Sequence, residues 1–237
     1  MEIVIDLAMV RQLIAQERRQ AGEEISSLGP VRACEQSQHR HDARLASAPD
    51  AATLACKAGC SWCCHFTVDV RAFEVLRLLE FIDTLSAAER ERVRMEIENN
   101  RRVMEPLDEL RRVQTNVKCP FLLEGRCTVY DARPQTCRNY HATDAAGCQR
   151  SFEEPDNLDI DPEFAPGVYQ RSGAHVEAFA QAMKDAGYDT GVYEMNTALS
   201  IAMRNPQLAK QRFESKQSIF EHLAGAGVDA EFASEDE

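Results

Sequence analysis

The stretch 56-CKAGCSWCC-64 puts four cysteines into nine positions, two of them adjacent. A second group follows after a gap of 54 residues in 119-CPFLLEGRCTVYDARPQTCRNYHATDAAGC-148, where Cys119, Cys127, Cys137 and Cys148 are separated by seven, nine and ten residues. Only Cys34 lies outside the two groups. What these thiols do decides how the rest of the chain is read.

A chain of 237 residues that is 44% hydrophobic buries a core large enough to fold without covalent staples. The N-terminal stretch "MEIVIDLAMVRQLIAQERRQ" has neither a basic leader nor an uninterrupted apolar run, and no later segment approaches the roughly 20 apolar residues of a membrane helix. The expectation is a soluble cytoplasmic protein with no membrane association. In that reducing setting disulfides are rare, and clustered cysteines read as metal ligands or redox groups. Filling of the core by eight thiols in two tight groups is a poor alternative, although free cysteine is often buried.

The net charge of −12 is uneven: residues 150–237 carry 17 acidic against 7 basic side chains, so the cysteine-bearing part is nearly neutral. Without a basic stripe to neutralise phosphates, nucleic acid is excluded as a partner. The acidic C-terminal region either packs on the cysteine domain or serves a protein partner.

The periodicity predicts a mainly α fold with a small β-hairpin, its irregular cysteine-rich metal-binding core flanked by helices. Residues 1–50 read as a helical lead-in, with Ile3, Leu7, Val10 and Ile14 at helical spacing and a second helix from Val31 to Leu45. Residues 51–150 form the cysteine-cluster domain, 151–230 a C-terminal helical region, and 231–237 an acidic tail expected to be disordered. Within the middle segment "FTVDV" alternates like a short strand, and Val75, Leu78, Leu79 and Ile82 share a helical stripe. "SAAE" at 86–89 is a capping box for a helix with Val93, Ile97 and Met104 on one face, giving a helical hairpin that returns Cys119 toward Cys64. "FLLEGRCTVY" reads as a β-hairpin turning at Glu124-Gly125. Farther on, Val176, Phe179, Ala180 and Met183 mark a helix closed by Gly187, and Pro206 opens a last one.

Thiolates are soft ligands that select zinc or iron–sulfur clusters, and ligands two or three residues apart let one turn offer several sulfurs to one centre. Cys60-x2-Cys63 has that spacing, and Gly59 lets the turn close so that Cys56 can join. Cys63 and Cys64 are neighbours whose side chains diverge, so one of them serves a second site or another corner of a cluster. Eight cysteines suffice for two four-thiolate sites, or for one with four thiols to spare. Lys57, Lys118, Arg126, Arg133 and Arg138 lie close in sequence and either offset the negative charge of such a centre or stand as ordinary solvated cations. His65 and His141 are the further candidate ligands, read first as hydrogen-bond partners beside the metal loops. His39, His41, His175 and His222 have no neighbouring thiols, and Cys34 reads as a small buried residue. Asp131-x-Arg133-Pro134 reads as a capped, proline-started turn that holds Cys137; Tyr130 and Tyr140 read as half-buried packing, and Trp62 as a shield or anchor of the first loop.

The two groups together resemble the CxxCxxCC or YkgJ-type family, described as zinc- or iron-chelating proteins. Cys119-Pro120, Gly125-x-Cys127, Tyr130, Arg133-Pro134, Cys137-Arg138 and Tyr140 fall in that family's order, while the first motif has three residues rather than two between Cys56 and Cys60. The resemblance implies metal chelation by Cys60, Cys63, Cys64, Cys119, Cys127 and Cys137, with Cys56 and Cys148 completing the set, and zinc or an iron–sulfur cluster as the bound group. The cluster region also resembles part of the longer flagellin lysine N-methylases, which are associated with an iron–sulfur cluster. Three functions follow: a metal-binding module, an iron–sulfur-dependent modifying enzyme, and a thiol redox or metal-carrier protein. No glycine-rich nucleotide loop, radical-SAM cysteine spacing or Ser/His/Asp constellation accompanies them.

Overall fold

The computed structural model describes residues 6–57, 59–160 and 162–220. Ten helices are found among them: α1 (Leu7–Leu28), α2 (Pro30–Ala46), α3 (Ala72–Thr84), α4 (Ala87–Met104), α5 (Glu109–Val113), α6 (Gln135–Arg138), α7 (Ala145–Glu153), α8 (Pro166–Asp185), α9 (Met195–Arg204) and α10 (Pro206–Glu214). The four strands are β1 (Asp69–Arg71), β2 (Leu122–Leu123), β3 (Arg126–Cys127) and β4 (Val192–Glu194). They make two antiparallel pairs, β1 with β4 and β2 with β3. The fold is mainly α, as the periodicity implies. The partner of "FTVDV" comes from far along the chain, with Val70 opposite Tyr193.

Local chemistry explains the element ends. Asp6 caps α1 by accepting from the Met9 amide at 3.0 Å, and Gly29, at a φ of 83°, breaks the chain before Pro30 opens α2. Ser86 and Glu89 form the expected capping box of α4. The α3 stripe of Val75, Leu78, Leu79 and Ile82 is buried together with Val93 and Ile97 of α4, Phe179 and Met183 of α8, and Leu199 of α9 in one core that also takes in Cys34.

The expected stripe of α1 is rotated. Ile3 lies outside the described residues, and Leu7 is 59% exposed. The face that α1 turns to α2 and α8 carries Leu13, Glu17, Ala21 and Ile25. A glutamate belongs there because α2 supplies its counter-charges: Arg40 at 2.7 Å and Arg44 at 2.5 Å. Glu17, Ser37 of α2 and His175 of α8 are each fully buried; the Ser37 hydroxyl donates to Glu17 at 3.2 Å and meets His175 Nε2 at 2.8 Å. Fully buried His41 stacks on His175 at 4.8 Å and reaches Ser172 of α8 at 3.0 Å, with His141 3.4 Å from the same hydroxyl. A polar seam therefore runs between α1, α2 and α8 and ends at the cysteine segment.

Candidate metal centre

The first cysteine loop folds as two tight turns. Gly59 sits at a φ of 94°, where a Cβ is disfavoured, and the Cys60 amide closes a turn on the Lys57 carbonyl at 3.0 Å. Residues Trp62–His65 then make one 3₁₀ turn. The chain returning from the α3–α4 hairpin lies directly beside it: the Cys119 amide donates to the Cys64 carbonyl at 2.8 Å and the Val117 amide to the His65 carbonyl at 2.9 Å. The hairpin therefore brings Cys119 to Cys64 as expected. On the other side Phe152 of α7 packs against Trp62 at 5.5 Å and His65 at 4.8 Å, so Trp62 anchors the loop to the helix that carries Cys148.

In the second group, β2 and β3 turn through Glu124 and Gly125, both at positive φ, and pair Leu122 with Cys127. The amide of Phe121 bonds the Cys119 sulfur and that of Val129 the Cys127 sulfur, each favouring the thiolate. Cys137 sits in the short α6, whose start differs from expectation. Asp131 does not cap it; Pro134 occupies the cap position, and the freed Gln135 amide is taken by the Glu74 carboxylate of α3 at 2.6 Å. Arg138, 1% exposed, staples the turn by donating to the carbonyls of Arg133 at 3.0 Å and Asp131 at 2.7 Å while pairing with Asp42 of α2.

The two groups meet around one cavity of about 500 Å3, lined by Cys56, Cys60, Cys63, Cys64, Cys119, Cys127 and Cys137. Cys148 is outside the lining, buried in α7, and its thiol is pushed up to about 11 by desolvation and then by Cys56 and Cys60. All nine cysteines are free thiols. Desolvation pushes Cys119 up to about 12 and Cys137 well above the usual thiol range. The adjacent Cys63 and Cys64 thiols act on each other, raising the pKa of Cys63 and lowering that of Cys64. The donor set suits zinc or an iron–sulfur cluster in chemistry and number. The thiols line the wall without converging: among the described residues no three His, Cys, Asp or Glu side chains are gathered closely enough to enclose an ion. Zinc–sulfur bonds of about 2.3 Å require the sulfurs to draw inward on loading.

Of the five cations noted in the sequence, Lys57, Arg133 and Arg138 line the cavity, whereas Lys118 turns to Glu96 at 3.9 Å and Arg126 is exposed on the hairpin. Arg133 lies 4.0 Å over the Tyr130 ring, and its charge lowers the pKa of Cys56, Cys64, Cys127 and Cys137 alike. Tyr130 is 42% exposed, carrying that guanidinium rather than packing in the core. Tyr140 packs between Phe66 and Phe164, and its carbonyl accepts from Cys56 Sγ at 3.3 Å. His65 is spent on Phe152 and the Trp62 carbonyl, while His141 lines the cavity and touches Ser172. His41 and His175, passed over in the sequence for want of neighbouring thiols, stand behind His141.

A family model for the "CxxCxxCC: Putative zinc- or iron-chelating domain" covers residues 55–160. Residues 55–160 match the CxxCxxCC family. The matched span encloses both cysteine groups and α7, while Asp42, Leu45 and Ala46 of α2, which also line the cavity, lie before it. No curated protein and no solved structure matches the chain. Among the described residues no helix is long and apolar enough to cross a membrane.

Proposed function

We propose that this chain is a cytoplasmic metal-binding protein whose CxxCxxCC domain holds zinc or an iron–sulfur cluster through Cys56, Cys60, Cys63, Cys64, Cys119, Cys127, Cys137 and Cys148. One observation carries the reading: seven free thiols from segments more than fifty residues apart line a single cavity. The raised pKa of Cys63, Cys119, Cys127 and Cys137 makes them poor nucleophiles in the unloaded protein, whereas Cys64 is shifted the other way. A soft metal reverses that handicap, since it binds the thiolate and displaces the proton. The test is metal and acid-labile sulfide content per chain after anaerobic purification. Iron with equimolar sulfide identifies a cluster, zinc without sulfide a four-thiolate site, and neither metal, with none taken up on reconstitution, refutes the proposal.

The cavity's size favours a second reading. About 500 Å3 exceeds what a bare ion fills and falls in the range of small-molecule pockets, and Tyr130, Arg133 and His141 add polar groups to its wall. A cluster-dependent modifying enzyme would use that space beside its cofactor. Protection of Arg133 from a guanidinium-specific reagent by metal alone, with no further protection by any small anion, would count against it.

A further inference from the structure

The eight thiols are not one undivided set. Cys119, Cys127 and Cys137 pack against the main hydrophobic core, and Cys64 is tied to them through its carbonyl, which accepts the Cys119 amide at 2.8 Å. Cys127 is fixed to this group by the pairing of Leu122 with Cys127 and by the Thr128 amide, which donates to the Phe121 carbonyl at 2.8 Å. Cys56 is held elsewhere, its thiol on the Tyr140 carbonyl and its neighbour Ala55 donating to the Ala142 carbonyl at 2.9 Å. That places it beside the segment leading into α7, the helix that carries Cys148 and lies on the 3₁₀ turn through Phe152. Cys60, on the Gly59 turn, lies in the chain between Cys56 and the 3₁₀ turn that α7 packs against.

Cys63 stands on the seam. It lines the same cavity as Cys56, Cys60, Cys64 and Cys137. A 3₁₀ turn advances about 120° per residue, so the two adjacent side chains leave the backbone in different directions. Cys64 completes the core-side group, and Cys63 is the fourth donor available to Cys56, Cys60 and Cys148.

We infer that the domain carries two adjacent four-thiolate centres for soft metal, a core-side one of Cys64, Cys119, Cys127 and Cys137 and a helix-side one of Cys56, Cys60, Cys63 and Cys148, abutting at the Cys63–Cys64 pair. This rests on the chelation reading and deepens it. The core-side centre is built on a hairpin and a stapled turn and fills first. The helix-side centre depends on the Gly59 turn and on α7, and fills second.

The experiment is an anaerobic titration of the metal-free full-length chain with Co2+ alone, following thiolate-to-cobalt charge transfer and bound cobalt after desalting. Wild type takes two equivalents. The double variant Cys119→Ser/Cys127→Ser keeps one, as does Cys60→Ser/Cys148→Ser, each with about half the charge-transfer intensity. At one equivalent in the wild type, alkylation mapped by mass spectrometry shows the four core-side cysteines protected together and the other four reactive, a readout independent of whether the variants fold. A wild type saturating at one equivalent, or all eight cysteines protected in step, overturns the two-centre assignment and leaves chelation standing. No cobalt bound by the wild type refutes both.

Discussion

Acid destabilises the metal-free protein well above the pH at which its carboxylates titrate, because three histidines are buried uncharged along the polar seam. Desolvation holds His41 down to about 2, with the His175 ring adding to it. His141 is lowered to about 4 by desolvation and then by Arg133, and His175 to about 4 by desolvation and by Arg44 and Arg40, although Glu17 pulls it the other way. In the unfolded chain each ring takes up a proton near pH 6.5; the folded chain refuses it until far lower. Between those limits the unfolded state binds more protons, so stability rises with pH and is lost as pH falls below about 6.5. At pH 5 each histidine costs about 2 kcal/mol relative to pH 7.5, about 6 kcal/mol for the three. Buried Glu74 and Asp69, whose pKa values are raised chiefly by desolvation, act in the opposite sense, so 6 is an upper figure. Since a domain has a total stability of about 5–15 kcal/mol, this is a large fraction. Urea unfolding of the metal-free protein at fixed ionic strength, from pH 7.5 to pH 5, measures it. His41→Gln should remove about a third of the pH slope, by the same per-histidine figure. A midpoint that stays constant over that range refutes the argument.

Arg138→Met leaves Asp42 and the carbonyls of Arg133 and Asp131 without their buried donor and should cost about 3 kcal/mol, seen as a lowered Tm of the metal-free protein. Arg133→Gln removes the one cation that bears on four of the thiols; an interaction of about 1 kcal/mol with the anionic centre corresponds to a roughly fivefold weaker Co2+ affinity, with Tm nearly unchanged. Removing metal should raise hydrogen exchange in residues 56–148 more than in α8–α10, and equal protection in both regions would show that the centre does not order its segment. Phe152→Ala frees the first loop from α7 and should lower uptake at the helix-side centre before the core-side one, read from the alkylation pattern.

The helices were legible in the sequence wherever apolar spacing alone buried them: α3, α4 and α8 have their buried faces where Val75, Ile97 and Phe179 recur. The α1 face was misread because its buried position is Glu17, and a periodicity argument has no means of seeing Arg40 and Arg44 come across from α2. The β1–β4 pair was half legible, since alternation marks a strand but not a partner as distant in the chain as Tyr193 is from Val70. At the site, motif spacing pointed to eight thiols, of which seven line the cavity and Cys148 lies outside the lining, and the helical hairpin brings Cys119 to Cys64. Spacing gave no sign of His41 and His175, which stand behind the cavity-lining His141 only through helix packing; the one available signal was the place of His175 between Ala174 and Val176 of α8. The start of α6 went astray for a related reason. The acceptor for the Gln135 amide is Glu74, which lies 61 residues earlier.

The pinning of the cysteine segment decides how far loading can move it. At its entrance Asp50 accepts from the Gly167 and Val168 amides of α8 at 2.6 and 3.0 Å, and Leu45, Ala48, Ala165 and Val168 close a small apolar cluster over that joint. At its exit Ala142 bridges to Phe164, and the Thr143 amide donates to the Glu163 carbonyl at 2.8 Å. Between these clamps the core-side thiols sit on the hairpin and on α6, both fixed to α3 and the main core. Among the described residues of the first cysteine loop, Lys57, Cys60 and Ser61 are held by local backbone bonds, the Cys60 amide on the Lys57 carbonyl and the Cys64 amide on the Ser61 carbonyl. The inward motion that metal–sulfur bonding demands therefore falls on this loop, and the cost of ordering it falls on the helix-side centre alone. That asymmetry follows from the scaffold whichever soft metal occupies the site. It makes the second equivalent the weaker one, the one that a competing chelator removes first.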